Sequence, residues 1–368
     1  MAARPATRRH VERTVDPSQR PIVRDLGRGS SSFTIEWDVR PAFDFLFSLS
    51  GEAGSTDDLP AEDRRWLTES RAALPADAQA GIVEMFDSEL CINTGVLLID
   101  RPDVRTSAEF VELLATSEPR DIIGPIIEDH HHDRDIDELI GHALDGDTSV
   151  LATLRERLPD WNRDGLLRIL NDPTAARDRM ADVLGEWQKR FEEIEPRIGE
   201  IIDRDYEGRA SDRSTLAATD LIETTTGGIR WLPEPGVRRV ILGPSYFSRP
   251  YNFLMSGSDW RFFGYPVADS ALDPADSLAA PQSVVRLHRA LGDATRLKIL
   301  KLLASRDLYL TEIAQQLDLS KPTIKHHLAL LRSAGLVTIT ESGTVMYYSL
   351  RRNRLDDASA EIKRFLIG

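Results

Sequence analysis

The sequence predicts an α+β protein in two parts: a mostly helical N-terminal domain with a segment of short strands near its end, then a compact module of helices closed by a β-hairpin. Three observations lead there. From about residue 41 to 226, apolar residues recur at helical spacing. After Gly227-Gly228 the texture turns to aromatics, prolines and β-branched residues. The charge also changes sign along the chain: residues 281–368 hold 14 Lys and Arg against 8 Asp and Glu, while the rest hold 32 against 52. An acidic body joined to a basic module is informative where the overall net charge of −14 is not, because phosphate binding responds to local charge. At 368 residues the chain exceeds the usual size of one domain.

Residues 1–29 are rich in Arg, Pro, Gly and Ser without apolar periodicity and read as a disordered leader. The domain that follows spans 30–268. FTIEWDV (33–39) alternates as a strand does, and PAFDFLFSLS continues as an apolar helix. LPAEDRRWLTESRAAL, PADAQAGIVEMFDSEL, TSAEFVELLATSE and TSVLATLRERLP each carry spaced apolar residues behind helix-start chemistry. The longest helical run opens at Asp172-Pro173, a cap followed by proline at the first helical position. Pro196 should break it, since proline removes a backbone hydrogen bond and clashes with the preceding turn. The carboxylates along 186–207 read as a solvated face. From 229, turn signals at PEPG, GPS and SGSD divide several short strands. The aromatics of 246–265 suit a β core better than a ligand pocket. DSALDPADSLAAPQ (269–282) has Asp, Pro, Ala and Ser but no large apolar face and reads as a linker.

The module, 283–368, opens with SVVRLHRAL as a short amphipathic helix. DATRLKILKLLAS is a second, with Asp293 as cap and Leu297, Leu300 and Leu303–Ala304 on one face. LTEIAQQL is a third, with Thr311 as its cap, and DLS turns the chain into SKPTIKHHLALLRSAGLV. Ser320 caps this fourth helix, and Pro322 sits in its first turn, where proline is tolerated. Ile324, Leu328 and Leu331 recur at i, i+4 and i+7 and form a buried stripe. Lys325 and His326 fall on the opposite side, giving a short, partly basic outer face of the kind that enters a DNA major groove. LVTITESGTVMYYSL makes two alternating strands around a turn at Ser342-Gly343. A helix-turn-helix followed by such a hairpin is a winged helix-turn-helix. The closing helix sets Leu355, Ile362 and Phe365–Leu366 on one face, which suits a dimer seam.

RALGDATRLKILKLL, LTEIAQQLDLSKPTIKHHLALLRSAGLV and the YYSL ending of the hairpin, in this order and spacing, resemble the ArsR-type winged-helix transcriptional regulators of bacteria. The likeness covers about a quarter of the chain, and the upstream region is similar to the N-terminal domain that some larger members carry. The resemblance implies a cytoplasmic regulator, a repressor in most members, that binds a near-palindromic site in double-stranded DNA as a homodimer. The N-terminal domain would modulate it through an unidentified small-molecule effector or a partner. By this likeness 320–333 is the recognition helix: Ser320, Lys321, Thr323, Lys325 and His326 meet bases or phosphates, His327 turns partly inward, and Arg351, Arg352 and Arg354 reach phosphate. The paired cysteines of metal-sensing members have no counterpart in RDLYLTE. The last helix offers Asp356, Asp357 and Glu361 but no histidine. No cofactor or metal is therefore expected.

Two other readings compete. EDHHHDRDIDE (128–138) gathers His130, His131 and His132 with acidic residues, all ligand types for zinc. No spaced partner motif completes a site, so a solvated run is preferred to a metal-responsive switch. An enzyme domain at 30–268 fused to the module would need chemistry that the sequence does not display: it has no P-loop, dinucleotide glycine fingerprint, HExxH or GxSxG. Cys91, the single cysteine, lies in an apolar stretch and reads as an inert thiol in a reducing compartment. No apolar run approaches the roughly 18 residues of a membrane span, and the basic N-terminus lacks the apolar core of a secretory signal.

Overall fold

A computed structural model of the chain describes residues 33–51, 53–54, 58–86, 94–127, 134–158, 163–272, 281–342 and 345–367. The expected leader at 1–29, Cys91, the triple histidine at 130–132, the middle of the expected linker and the hairpin turn at Gly343 lie outside these residues. No helix of the described residues is long and apolar enough to cross a membrane.

Strand β1 (Thr34–Trp37) leads into helix Pro41–Phe47. This helix is apolar around most of its circumference, and Ala42 through Phe47 are all buried, as expected of a helix enclosed by others. Its one charge, Asp44, is explained by what it holds. Its carboxylate accepts hydrogen bonds from the Ser245 hydroxyl at 2.6 Å, the Phe247 N–H at 2.8 Å and the Tyr246 N–H at 3.0 Å. Burial outweighs these three bonds and pushes the Asp44 carboxyl up to about 6.

Helices Ala61–Ala72, Ala76–Phe86, Ser107–Thr116 and Leu151–Arg157 form where the spaced apolar residues place them. Asp172 caps helix Pro173–Phe191 by accepting the Ala175 N–H at 2.9 Å. That helix ends before Pro196, and a new one, Glu195–Gly208, starts with the proline in its first turn. Trp187, fully buried, donates to Ser48 Oγ at 2.9 Å. The expectation of a solvated face along 186–207 fails at two carboxylates. Glu195 accepts from the Ser107 N–H and hydroxyl at 2.6 and 2.7 Å, and Asp205 from the Tyr265 hydroxyl and the Ala268 N–H at 2.9 and 2.7 Å. Both are buried, because each satisfies donors that packing would otherwise strand.

Beyond helix Ala218–Thr225 come β2 (Ile229–Arg230), β3 (Arg239–Ser245), β4 (Phe253–Ser256) and β5 (Trp260–Pro266). The body's sheet runs β1-β3-β5-β4; β1, β3 and β5 are parallel and β4 is antiparallel to β5. Thr34 pairs with Arg239, so the helical stretch is a long excursion between neighbouring strands. Phe43 and Phe47 of the first helix stack on Phe262 and Phe253 with ring centroids 4.5 and 4.1 Å apart. The aromatic segment is thus core: Tyr246, Phe247, Phe253, Trp260, Phe262, Phe263 and Tyr265 are all buried.

The start of the expected linker is structured. Asp269 opens a short 3-10 turn and pairs with buried Arg249 and with Arg286. Burial alone would raise the Asp269 carboxyl, but the two guanidinium groups hold it below the usual range. Arg286 also reaches Asp58 at 2.6 Å. It belongs to helix Gln282–Leu291, so one side chain ties the module to the body at two points.

The rest of the module is helix Ala294–Leu303, β6 (Leu308–Tyr309), helices Leu310–Leu317 and Lys321–Ser333, β7 (Val337–Ser342), β8 (Val345–Leu350) and helix Arg352–Ile367. This is the expected winged helix-turn-helix order. Its sheet runs β2-β7-β8-β6, so β2, a strand of the upstream region, lies parallel to β7 with Ile229 opposite Ile339. Its core joins Leu287, Ile299, Leu303, Ile313, Ile324, Leu328, Leu331 and Leu336.

Two expectations within the module need correction. Leu297 is exposed, because Ile299, Leu300 and Leu303 define the inner face, and Leu297 is turned about 110° from its centre at roughly 100° per residue. Thr311 is not the cap of its helix. Tyr309 occupies that position, and its N–H donates to Glu312 at 3.2 Å.

Candidate nucleic-acid interface

The chain reaches helix Lys321–Ser333 through Asp318, which has φ 54° and ψ 48°. This left-handed conformation is rare outside glycine, and Asp is among the residues that tolerate it. It ends helix Leu310–Leu317 and lets the Leu319 N–H close on Ala314 O at 3.0 Å. Ser320 then caps the next helix: its Oγ accepts the Thr323 N–H at 3.3 Å and lies 2.7 Å from Thr323 Oγ1.

Ile324, Leu328 and Leu331 are buried, as their spacing requires. Ser320, Lys321, Pro322, Thr323, Lys325 and His326 are exposed. The first two turns of the helix therefore show solvent two lysines, a histidine and two hydroxyls at the helix's N-terminal end, whose dipole favours negative charge. His327 is turned inward, its side chain 15% exposed, with Nδ1 3.9 Å from Asp293 Oδ1. Burial, acting most strongly, with Arg296 and His326, holds its imidazole below the usual histidine range against the pull of Asp293. The two histidine rings are 6.0 Å apart and tilted by 59°. The His326 ring faces outward while His327 packs, so the pair does not converge on one point.

The predicted set divides in two. Arg351 and Arg352 do not join the lysines. The Arg351 N–H bonds Leu336 O at 2.9 Å, and its side chain lines a cleft with Arg332, Ala334 and Gly335 at the far end of the helix. Thirteen helical residues put roughly 18 Å between the two ends. Arg352 is exposed but donates to Ala304 O at 2.7 Å. Arg354 is held by Glu361 and Ala334 O. The reason is topological: β8 runs away from the hairpin tip and delivers residues 351–354 to the base of the wing. Sequence reasoning missed the cleft that Arg351 and Arg354 enter. Arg286, Arg332, Arg351 and Arg354 come from three separate stretches of the chain and carry no single local pattern; their positions relative to the predicted hairpin offered the only signal.

Among the described residues, no group of three or more His, Cys, Asp or Glu side chains is placed to hold a metal ion. His130, His131 and His132 are not among them.

Comparison with known proteins bears on the module. Residues 293–338 match the family described as "Bacterial regulatory protein, arsR family". The chain is similar to the transcriptional repressor SdpR of Bacillus subtilis, 40% identical over 72 residues, which are 20% of this chain and 80% of that protein. It is also similar to the HTH-type transcriptional regulator KmtR of Mycobacterium tuberculosis, 38% identical over 90 residues, 24% of this chain and 67% of that one. Among solved structures, HlyU from Vibrio cholerae is 28% identical with a TM-score of 0.20, covering 24% of this chain and 95% of its own. The family match falls on the module that carries the exposed helix, and by it and the likeness to SdpR the chain belongs to the arsR family of bacterial regulatory proteins.

Proposed function

We propose that this regulator represses transcription by laying the N-terminal half of helix Lys321–Ser333 in the major groove of a near-palindromic operator, as a homodimer. One observation carries the reading. A helix locked from behind by an apolar stripe presents Lys321, Thr323, Lys325 and His326 to solvent in its first turns. Lys321 and Lys325 would neutralise phosphates, and His326 and Thr323 would meet base edges. Ser320 would set the helix start rather than read sequence. Arg352 would reach phosphate from the base of the wing, and Arg351 would do so only at the margin.

The homodimer is supported by the last helix, where Leu355, Phe365, Leu366 and Ile367 are exposed on a helix that packs against Gln282–Leu291. Pairing that face between two copies would set two recognition helices roughly one turn of DNA apart. Residues 30–268 would serve as the sensing or partner-binding part, 269–282 as the join and 283–368 as the DNA-binding part. SdpR is named a transcriptional repressor, which favours repression over activation.

The test is anisotropy on promoter DNA of the neighbouring genes, read across salt concentrations. Wild type should lose affinity with salt at a slope of about 0.9 per neutralised phosphate. Lys325→Ala should weaken binding and lower that slope by about one, and His326→Ala should relax discrimination between operator and random DNA. Unchanged affinity and slope in both variants would count against the recognition helix.

A further inference from the structure

The cleft where Arg351 ends up lies between the body and the module. It encloses about 200 Å³, below the roughly 300–1,000 Å³ of sites for drug-sized ligands, so it fits a metabolite of few heavy atoms. The body contributes Thr226 and Asn252; the module contributes Arg286, Arg332, Arg351 and Arg354, and among the described residues no carboxylate lines it. Arg286 is engaged by Asp58 and Asp269, and Arg354 by Glu361; these acids are not among the residues that line the cleft, and the arginines are its charged lining among the described residues. Arg351 makes no side-chain hydrogen bond or ion pair among the described residues. The opposite wall has a different need. Asn252 Nδ2 donates to Thr226 O at 3.1 Å, which fixes the amide's orientation, while Oδ1 is buried with no donor among the described residues. A buried acceptor left unmatched costs about 1–3 kcal/mol. The cleft therefore offers a cationic wall to an anion and, on the facing side, an acceptor to a hydrogen-bond donor.

We infer that this cleft binds a small organic anion that also carries a hydroxyl group, its acidic end on Arg351 and its hydroxyl on Asn252 Oδ1. The floor is the C-terminal end of the recognition helix, Arg332 to Gly335. Its carbonyl ends carry only about half a negative charge, which the surrounding arginines outweigh. Because the walls come from both parts, the ligand would stabilise one docking angle between them and so bias where the recognition helix points. That regulatory consequence, unlike the site itself, rests on the DNA-binding reading above.

The test titrates the full chain calorimetrically with L-malate, glycerol 3-phosphate and succinate, each at millimolar concentration. Malate and glycerol 3-phosphate both carry an acid and a hydroxyl, and whichever binds tells carboxylate from phosphate. Succinate lacks the hydroxyl. At least one hydroxylated anion should bind and succinate should bind at least tenfold more weakly. Arg351→Ala should lose the binding at least tenfold and Arg351→Lys should recover part of it, while Asn252→Leu should erase the preference over succinate. Equal binding of all three, binding unmoved by Arg351→Ala, or no binding to wild type overturns the site. DNA affinity measured with and without the bound anion is a separate readout. A chain that binds the anion through Arg351 but has no affinity for DNA overturns the DNA-binding reading and leaves the site standing.

Discussion

In the body, Arg40, Asp44, Asp63, Glu195, Asp205 and Arg249 are all buried, and every one is hydrogen-bonded. In the module, among the described residues, the buried polar side chains are Thr338 and Ser349; its lysines stand in solvent. The two regions use charge in opposite ways. The body turns charge inward, where it fixes a particular arrangement of helices on a sheet. The module closes on a mainly aliphatic core with Tyr348, and it leaves its lysines in solvent. Net charge follows the same division, −20 upstream and +6 in the module, so the acidic body would also repel DNA that approaches without the module's guidance.

The comparison breaks most severely at Arg286, the side chain the two regions share. Arg286→Ala leaves Asp58 and Asp269 with a missing partner, and removing one member of a buried ion pair costs about 3–5 kcal/mol. Calorimetry should then resolve two unfolding transitions where wild type has one; a single unshifted transition would mean that the regions are not coupled there.

Next in size is Asp44. Its folded value of about 6 exceeds the ordinary 3.8, so the folded state holds the proton more tightly. Its contribution to stability is full below about pH 3.8 and is lost as pH rises through about 6, an effect on the order of 3 kcal/mol. Asp44→Asn should remove that part of the pH–stability profile, read by urea melts between pH 4 and 7. It should also lower stability overall, because an amide nitrogen would face one of the three donors. At the module, Asp318→Ala should cost about 1 kcal/mol from forcing an ordinary residue into the left-handed region, again by urea melts. Lys325→Ala sharpens the contrast from the other side: it should move stability by less than about 0.5 kcal/mol while lowering DNA affinity.

What the sequence disclosed follows the range of the interactions involved. Ser320, Ile324, Leu328 and Leu331 interact within one helix, and a cap followed by a stripe is readable from neighbouring letters. Pro196 likewise acts on its own turn. Glu195 and Asp205 could not be read: beside Arg and Lys on a helix they look solvated, and only the approach of Ser107 and Tyr265 from distant chain makes them interior. Arg351 was legible as a cation but not as a wall of the cleft. Arg286 carried no signal of its double partnership with Asp58 and Asp269. Strand β2 is two residues long, and nothing in Ile229-Arg230 announces a partner more than a hundred positions downstream.

That short strand has a consequence for the intact molecule. With Ile229 opposite Ile339 and the Ile339 N–H bonded to Gly228 O, the outer margin of the wing is already taken by the same polypeptide. A fragment trimmed to begin at residue 281 would uncover the backbone groups that β2 covers beside Ile339 and Thr340, an invitation to neighbouring copies. Self-association of that fragment would then report a missing chaperoning strand, not the quaternary state of the native regulator.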